Sequence, residues 1–222
     1  MKQFVNIKGV FFDLDGTLVD TAPELTYAIN QLLIEFGMKV LDSHIIKDFI
    51  GQGVDNLIKK SIMISSGEPI NDYFYRAKEL FNKFYGVNVG NSKPYPEVIN
   101  ILKFLKEKRL SLACITNKPK FFTDILLKES GVDKFLDQVV CGDTLDKKKP
   151  DPLPIQYGCK SLQLIPNEVI MVGDSCIDID AGYAAGTYVV TVPYGYQYGQ
   201  SIDTPKVDLA IKNFSDLKVV IN

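Results

Sequence analysis

The most informative segment of the chain is Val10-Phe11-Phe12-Asp13-Leu14-Asp15-Gly16-Thr17-Leu18. Its apolar start predicts a short buried strand, and Gly16 predicts the turn that ends the strand. Asp13 and Asp15 are two residues apart, and side chains at that spacing on an extended backbone point to the same side. We therefore expect both carboxylates to face one pocket at the carboxyl end of a strand, where ligands bind in open α/β sheets. The same string is also compatible with a strand end followed by an Asx turn that binds nothing.

The composition is that of an ordinary globular protein, with 222 residues, 46% of them hydrophobic, and a formal net charge of −2. No basic stripe or tail favours a nucleic acid as partner. No apolar run has the length of a membrane span or the form of a signal peptide. The cysteines are far apart and form no Cys-x-x-Cys pair, so we expect reduced thiols in a cytoplasmic protein. They are Cys114, Cys141, Cys159 and Cys176.

Strand-like runs alternate with helical patterns through most of the chain, which predicts a mostly parallel sheet with right-handed crossovers. Residues 20–88 break this rhythm with four helical segments and no convincing strand. We predict an α/β fold with a Rossmann-like core, residues 1–19 and 89–222, into which a helical cap domain, residues 20–88, is inserted. The predicted strands are Gly9–Asp13, Leu110–Ile115, Gln138–Cys141, Val169–Val172, Tyr188–Val192 and Val207–Ile211.

Two local features add to this outline. The insertion begins with Thr21-Ala22-Pro23-Glu24, which has the signature of a capping box with an early proline. Near the other end of the chain, a tyrosine-rich loop is expected to pack on the core, with a contact surface as the alternative. It contains Tyr194, Tyr196 and Tyr198.

Four groups of polar residues fall where a parallel sheet would gather them, and three of the four directly follow a predicted strand. Together they offer carboxylates for a hard cation, a hydroxyl donor and an ammonium. This inventory suits phosphoryl transfer, which needs charge neutralisation on the phosphoryl oxygens and an in-line nucleophile. A carboxylate can be that nucleophile through an aspartyl-phosphate, and Mg²⁺ prefers carboxylate and phosphate oxygens. The groups are Asp13 with Asp15, Thr116 with Asn117, Lys149, and Asp174 with Asp178.

These groups resemble the motifs of a known family. Asp13-Leu14-Asp15-Gly16-Thr17-Leu18-Val19-Asp20 is similar to the first motif of the haloacid dehalogenase superfamily. Thr116, Lys149 and Gly173-Asp174-Ser175-x-x-Asp178 resemble its second, third and fourth motifs, in the same order. The helical segment between the first and second motifs resembles the helical cap of that family.

The resemblance implies a role for each catalytic residue. Asp13 is implied as the nucleophile, and Asp15 as the acid that protonates the leaving oxygen and then the base that activates water. Thr116 is implied to hydrogen-bond the phosphoryl group, and Lys149 to neutralise charge on the nucleophile and the phosphoryl group. In plainer interpretations, Thr116 only caps a helix and Lys149 belongs to a solvated lysine run.

The resemblance also implies a magnesium site. Its ligands are the carboxylates of Asp13 and Asp174, the backbone carbonyl of Asp15, and Asp178, which binds directly or through water. Asp178 has a plainer interpretation as the cap of the helix that it begins.

The carboxylate at Asp15 favours a phosphatase or a phosphomutase, because dehalogenase-like members of the superfamily lack it. Within the superfamily, Thr17–Leu25 resembles the opening of phosphoglycolate phosphatases, which makes 2-phosphoglycolate the favoured substrate. Phe49–Leu57 resembles their Gly-x-Gly loop, in which Gly51 and Gly53 would let backbone amides approach a small anion. The alternative for this loop is a turn between two helices with no ligand role. Asn117 is expected to line the phosphate pocket.

Several alternatives stay open at this stage. Related phosphatases act on pyrophosphate, sugar phosphates or nucleotides, because substrate choice depends on the cap more than on the shared motifs. A phosphomutase such as β-phosphoglucomutase is less favoured, since the histidine-lysine pattern of that enzyme is missing. A non-catalytic binding protein on the same fold is the remaining possibility. The oligomeric state is predicted only as monomer or homodimer.

Overall fold

The computed structural model describes residues 3–70, 72–197 and 202–221, and eight strands and nine α-helices lie in these ranges. The strands are β1 (Gly9–Phe12), β2 (Val19–Asp20), β3 (Lys93–Pro94), β4 (Ser111–Ile115), β5 (Gln138–Val140), β6 (Val169–Gly173), β7 (Tyr188–Thr191) and β8 (Leu209–Ala210). The helices are α1 (Ala22–Glu35), α2 (Ser43–Lys47), α3 (Val54–Ser66), α4 (Phe74–Asn88), α5 (Val98–Glu107), α6 (Lys120–Ser130), α7 (Leu153–Ser161), α8 (Cys176–Ala185) and α9 (Leu217–Val220).

Six strands form one parallel sheet in the order β5-β4-β1-β6-β7-β8. Five of the six predicted strands match to within one residue at each end, and β8 is shorter than its predicted range. The predicted α/β fold, a Rossmann-like parallel core with inserted helices, is therefore confirmed.

Strand β1 lies in the middle of the sheet because both of its faces are apolar. Val10 and Phe12 belong to the apolar cluster on one side, and Phe11 belongs to the cluster on the other side. All three side chains are fully buried. This burial fixes the position of the end of β1, and therefore the position of Asp13, which directly follows the strand.

Helices α1 to α4 follow β2 and precede β3, and we call them the helical insert. Strands β2 and β3 pair antiparallel where the chain leaves and re-enters the sheet region. Helix α1 packs along α4, and the buried side chains Leu32 and Phe81 belong to the same apolar cluster as Phe12 of β1. The apolar core therefore runs without a break from one face of the sheet into the helical insert.

The capping box predicted at Thr21 is wrong. The Thr21 side chain makes no cap bond, because its hydroxyl donates instead to Asp15 Oδ1 at 2.6 Å. The Glu24 carboxylate accepts a hydrogen bond from Ser92 Oγ at 2.7 Å. The Tyr196 hydroxyl accepts from the backbone N–H groups of Thr21 and Ala22, at 2.8 and 2.9 Å, and so takes the place of the cap.

The tyrosine-rich loop packs on the core, as predicted, at the two tyrosines that the structure describes. Tyr196 is buried, and the Tyr194 hydroxyl donates to the carbonyl oxygen of Thr17 at 3.0 Å. Tyr198 lies outside the described residues. Among the helices of the described ranges, none is both long enough and apolar enough to cross a membrane.

The packing between α1 and α4 gives a stability prediction. Leu32 is fully buried in α1, whereas Ile34 in the same helix is 54% exposed. We expect Leu32→Ala to lower the free energy of unfolding by about 3 kcal/mol through lost burial and a cavity. Ile34→Ala, the matched control, should change it by less than about 0.5 kcal/mol. Urea denaturation measures both, and equal losses would contradict the described packing of α1.

Candidate active site

Three buried carboxylates meet at the carboxyl edge of the sheet. Asp13 follows β1, Asp174 follows β6, and Asp178 lies in the first turn of α8. Because β1 and β6 are neighbours and parallel, their ends bring Asp13 and Asp174 together. One oxygen from each of the three carboxylates lies within 4.8 Å of the others. Such a set of oxygens is of the kind that a hard divalent cation prefers.

Lys149 connects two of these carboxylates. Its Nζ donates to Asp13 Oδ1 at 2.8 Å and to Asp178 Oδ1 at 2.6 Å. The Lys149 side chain is 2% exposed, whereas its neighbours Lys147 and Lys148 are exposed. The interpretation of Lys149 as part of a solvated lysine run is therefore wrong.

Asp178 also has the capping role that the sequence left open. Its Oδ2 accepts hydrogen bonds from the backbone N–H of Ser175 at 3.2 Å and from Ser175 Oγ at 2.7 Å. Its Oδ1 accepts the bond from Lys149. One carboxylate thus fixes the start of α8 with one oxygen and faces the site with the other.

Asp15 lies beside this cluster without its carboxylate joining the set of three. Its Oδ1 accepts hydrogen bonds from Thr21 Oγ1 and from Lys118 Nζ, both at 2.6 Å. Asp13 and Asp15 line the same cavity, as the spacing of the two carboxylates predicts. Asp13 therefore belongs both to the candidate cation site and to the cavity wall, whereas Asp15 lines the cavity outside the set of three carboxylates.

Asn117 links the core to the helical insert. Its Nδ2 donates to the carbonyl oxygens of Gly51 and Lys149, each at 2.9 Å. These two bonds use both N–H donors of the side chain. Any contact of Asn117 with a phosphoryl group therefore falls to its backbone N–H.

Thr116, Gly51 and Gly53 line the same cavity as Asp13 and Asp15. Thr116 Oγ1 accepts a hydrogen bond from the backbone N–H of Lys118 at 3.1 Å, which leaves its own proton to donate. Gly53 has a φ of 93°, a conformation that favours glycine, directly before the first turn of α3. The structure thus brings every sequence-predicted site residue to one region.

Asp174 is held by two residues for which the sequence predicted no role. Thr17 Oγ1 donates to its Oδ1 at 2.7 Å, and the backbone N–H of Tyr196 donates to its Oδ2 at 2.6 Å. A Cβ at Gly16 would lie 2.5 Å from the same Oδ2, which explains the glycine after Asp15. Tyr196 is 22 residues from Asp174, and no local pattern indicates this contact.

All buried charged side chains of the described chain lie at this site: Asp13, Asp15, Lys118, Lys149, Asp174 and Asp178. Buried charges are costly unless they are paired, so their concentration at one place indicates a function. The four carboxylates exceed the two ammonium groups by two negative charges, which is the charge that one divalent cation neutralises. The residues present therefore fit a bound divalent cation.

The electrostatics of the protein without a cation agree with this fit. Burial raises the pKa of Asp13 to about 7, although the Lys149 ammonium acts in the opposite direction. Burial, and then the charges of Asp178 and Asp13, raise the pKa of Asp174 well above its usual range. Burial lowers the pKa of Lys149, but the charges of Asp13 and Asp178 outweigh it and raise the net value.

Comparisons with known proteins point to one family. The model of the haloacid dehalogenase-like hydrolase family matches residues 10–192. The chain is 41% identical over 198 residues to a phosphoglycolate phosphatase of Nitrosospira multiformis, which covers 88% of this chain and 87% of that protein. It is 37% identical to a phosphoglycolate phosphatase of Thiobacillus denitrificans, over 100% of this chain and 99% of that protein.

A solved structure gives the same result for the fold. The crystal structure of a "predicted phosphoglycolate phosphatase" from Haemophilus somnus superimposes with a TM-score of 0.92 at 33% identity. The match covers 97% of this chain and 98% of that chain, so it includes the helical insert as well as the sheet.

The raised pKa of Asp13 gives a prediction for the protein without metal. A carboxyl group whose pKa is about 7 when folded and about 3.9 when unfolded makes its stabilising contribution below about pH 4 and loses it as the pH rises to about 7. We therefore expect Asp13→Asn to raise the melting temperature relative to wild type, by more at about pH 7.5 than at about pH 4.5.

Thermal unfolding in excess chelator measures this difference. Asp180→Asn is the matched control, because Asp180 is partly exposed and pairs with Lys206 at the surface. A difference between Asp13→Asn and wild type that is the same at both pH values would contradict the electrostatic account of the cluster.

Proposed function

The chain belongs to the haloacid dehalogenase-like hydrolase family, and we propose that it is a magnesium-dependent phosphatase that hydrolyses 2-phosphoglycolate through an aspartyl-phosphate. The family predicted from the sequence is confirmed by the match of the family model. The predicted activity, that of a phosphoric monoester hydrolase, is confirmed by the similarity to phosphoglycolate phosphatases. The observation that carries the proposal is the cluster of Asp13, Asp174 and Asp178, two of which bind Lys149, beside the cavity that Asp15 lines.

Mg²⁺ would be held by the carboxylates of Asp13, Asp174 and Asp178 and by the backbone carbonyl of Asp15. When bound, it would neutralise the repulsion between these carboxylates and the phosphoryl oxygens. Thr17 and Tyr196 orient Asp174, and Ser175 orients Asp178, through the hydrogen bonds described above. Partners of this kind fix the geometry of metal ligands.

The first half of the reaction uses Asp13 and Asp15. A carboxylate oxygen of Asp13 attacks phosphorus, and the bond from phosphorus to the ester oxygen breaks as Asp15 donates a proton to that oxygen. Lys149 contacts Asp13 and so stabilises negative charge on the attacking group and on the phosphoryl oxygens. The Thr116 hydroxyl donates a hydrogen bond to the phosphoryl group.

The second half restores Asp13. Asp15 removes a proton from water, and that water attacks phosphorus while the bond between phosphorus and the Asp13 oxygen breaks. The products are phosphate and the free carboxylate of Asp13. One residue thus acts first as an acid and then as a base, as microscopic reversibility allows.

The helical insert supports a small substrate. Gly51, Gly53, Val54 and Leu57 close the cavity above Asp13, and its volume is about 30 Å³. We propose that the chain has two domains, a core made of residues 1–19 and 89–222 and a cap made of residues 20–88. The cap moves away from the core to admit the substrate. A cap that closes over the site excludes water during the reaction.

The proposal includes the setting of the enzyme. We infer a cytoplasmic monomer or homodimer that acts on a small phosphorylated metabolite, with neither a nucleic acid nor a membrane as partner. The four free cysteines of the described residues support a reducing compartment.

The direct test is hydrolysis of 2-phosphoglycolate, followed by release of inorganic phosphate with and without Mg²⁺. We expect wild-type turnover that chelator abolishes and Mg²⁺ restores, and a loss of kcat of about 10⁴-fold or more in Asp13→Asn. A panel with pyrophosphate, sugar phosphates and nucleotides should give lower kcat/KM values. Full activity of Asp13→Asn would contradict the covalent route.

A second prediction isolates the cation site. Asp178→Asn removes a charge from the cluster, and we expect it to raise the Mg²⁺ concentration for half-maximal activity by about 10-fold or more. Asp180→Asn changes the same kind of side chain two residues away, outside the cluster, and should leave that concentration unchanged. Equal Mg²⁺ dependence of the two variants would rule out Asp178 as a ligand.

A further inference from the structure

Lys118 is a buried ammonium for which the mechanism above has no role. It lies in the loop between β4 and α6, and its side chain is 4% exposed. Its Nζ donates to Asp15 Oδ1 at 2.6 Å and lies 5.0 Å from the centre of the Tyr85 ring in α4. Lys118 therefore sits between the core and the helical insert.

Lys118 is the one cationic side chain among the described residues that line the cavity. The part of the wall that comes from the helical insert is apolar or glycine, and it carries no charge. That part consists of Leu25, Ile50, Gly51, Gly53, Val54 and Leu57. An anionic group of a substrate on this side of the cavity has Lys118 as its available counter-charge.

The ammonium also has donors to spare. A lysine ammonium carries three N–H donors, and the hydrogen bond to Asp15 uses one of them. Burial of a charged group is costly, and the hydrogen bond to the Asp15 carboxylate and the nearby Tyr85 ring offset that cost. A cationic donor group thus faces the substrate cavity.

The position of Lys118 relative to the chemistry defines what it can bind. Asp15 must lie within hydrogen-bond reach of the ester oxygen that it protonates, and Lys118 contacts Asp15 directly. A group attached one carbon beyond that ester oxygen would therefore lie next to Lys118. In 2-phosphoglycolate this group is a carboxylate.

We propose that Lys118 binds the carboxylate of the substrate and so makes the enzyme selective for phosphate esters that carry a carboxylate one carbon from the ester oxygen. The assignment rests on the proposed function and deepens it. A different role, in which Lys118 only positions Asp15, predicts equal effects on substrates with and without the carboxylate. The two roles are therefore separable by experiment.

The test compares two substrates that differ in this group, 2-phosphoglycolate and 2-hydroxyethyl phosphate. The quantity is the ratio of their kcat/KM values, in which any general damage to Asp15 cancels. We expect Lys118→Met to lower this ratio by about 30-fold or more, because a charged hydrogen bond is lost for one substrate only. Lys118→Gln, which keeps a polar contact to Asp15, should lower the ratio by a similar factor.

Lys148→Met is the matched control. Lys148 is exposed in the loop between β5 and α7, and its Nζ lies 3.6 Å from where a Cβ of residue 53 would be. Its replacement should leave the ratio within about threefold of wild type. A ratio that falls with Lys148→Met and not with Lys118→Met would assign the carboxylate contact to Lys148 and overturn the proposal.

Binding gives a second measurement that does not depend on turnover. In the Asp13→Asn background with Mg²⁺, adding Lys118→Met should weaken the affinity for 2-phosphoglycolate about 30-fold by calorimetry, with a much smaller effect on 2-hydroxyethyl phosphate. If Lys118→Met leaves the kcat/KM ratio unchanged and weakens the affinity for both esters equally, Lys118 does not bind the carboxylate. That result would leave the proposed phosphatase function standing. A wild-type enzyme that hydrolyses neither ester with Mg²⁺ would contradict the proposed function, and this assignment with it.

Discussion

The structure depends on keeping several charged side chains buried at one edge of a parallel sheet. Each buried carboxylate at this edge accepts a hydrogen bond from a buried donor, because a buried charge without a partner is too costly. The order β4-β1-β6 places Thr116, Asp13 and Asp174 side by side at the ends of three neighbouring strands. Lys149 approaches from the loop after β5 and joins Asp13 to Asp178. The apolar core thus serves to hold a compact set of charges in place.

The helical insert is attached to this set of charges as well as to the apolar core. Asn117 holds the loop at Gly51 next to the carbonyl of Lys149, and Lys118 lies between Asp15 and the Tyr85 ring. In the proposed function, substrate recognition and chemistry share the residues that follow β4. A substrate in the cavity would then meet groups from both the core and the helical insert, because both contribute to its wall.

The sequence predicted correctly those features that depend on residues close together in the chain. The strand before Asp13, the turn at Gly16 and the polar residues after two other strands follow from short-range patterns, while the roles of individual residues came from the family resemblance. Contacts between distant segments were missed. Lys118 and Asp15 are separated by 103 residues, and a lysine after a strand is usually exposed. The capping prediction failed because Asp15 and Tyr196 compete for the groups at the start of α1.

The central claim is that buried carboxylates hold a divalent cation so that Asp13 attacks phosphorus. The most direct measurement is rapid acid quenching of the enzyme with 2-phosphoglycolate that carries a radiolabelled phosphoryl group, followed by peptide mapping. We expect a transient label on the peptide that contains Asp13, formed only when Mg²⁺ is present. Release of phosphate at the full rate with no label on Asp13 at any quench time, or with the label on another residue, would rule out Asp13 as the nucleophile.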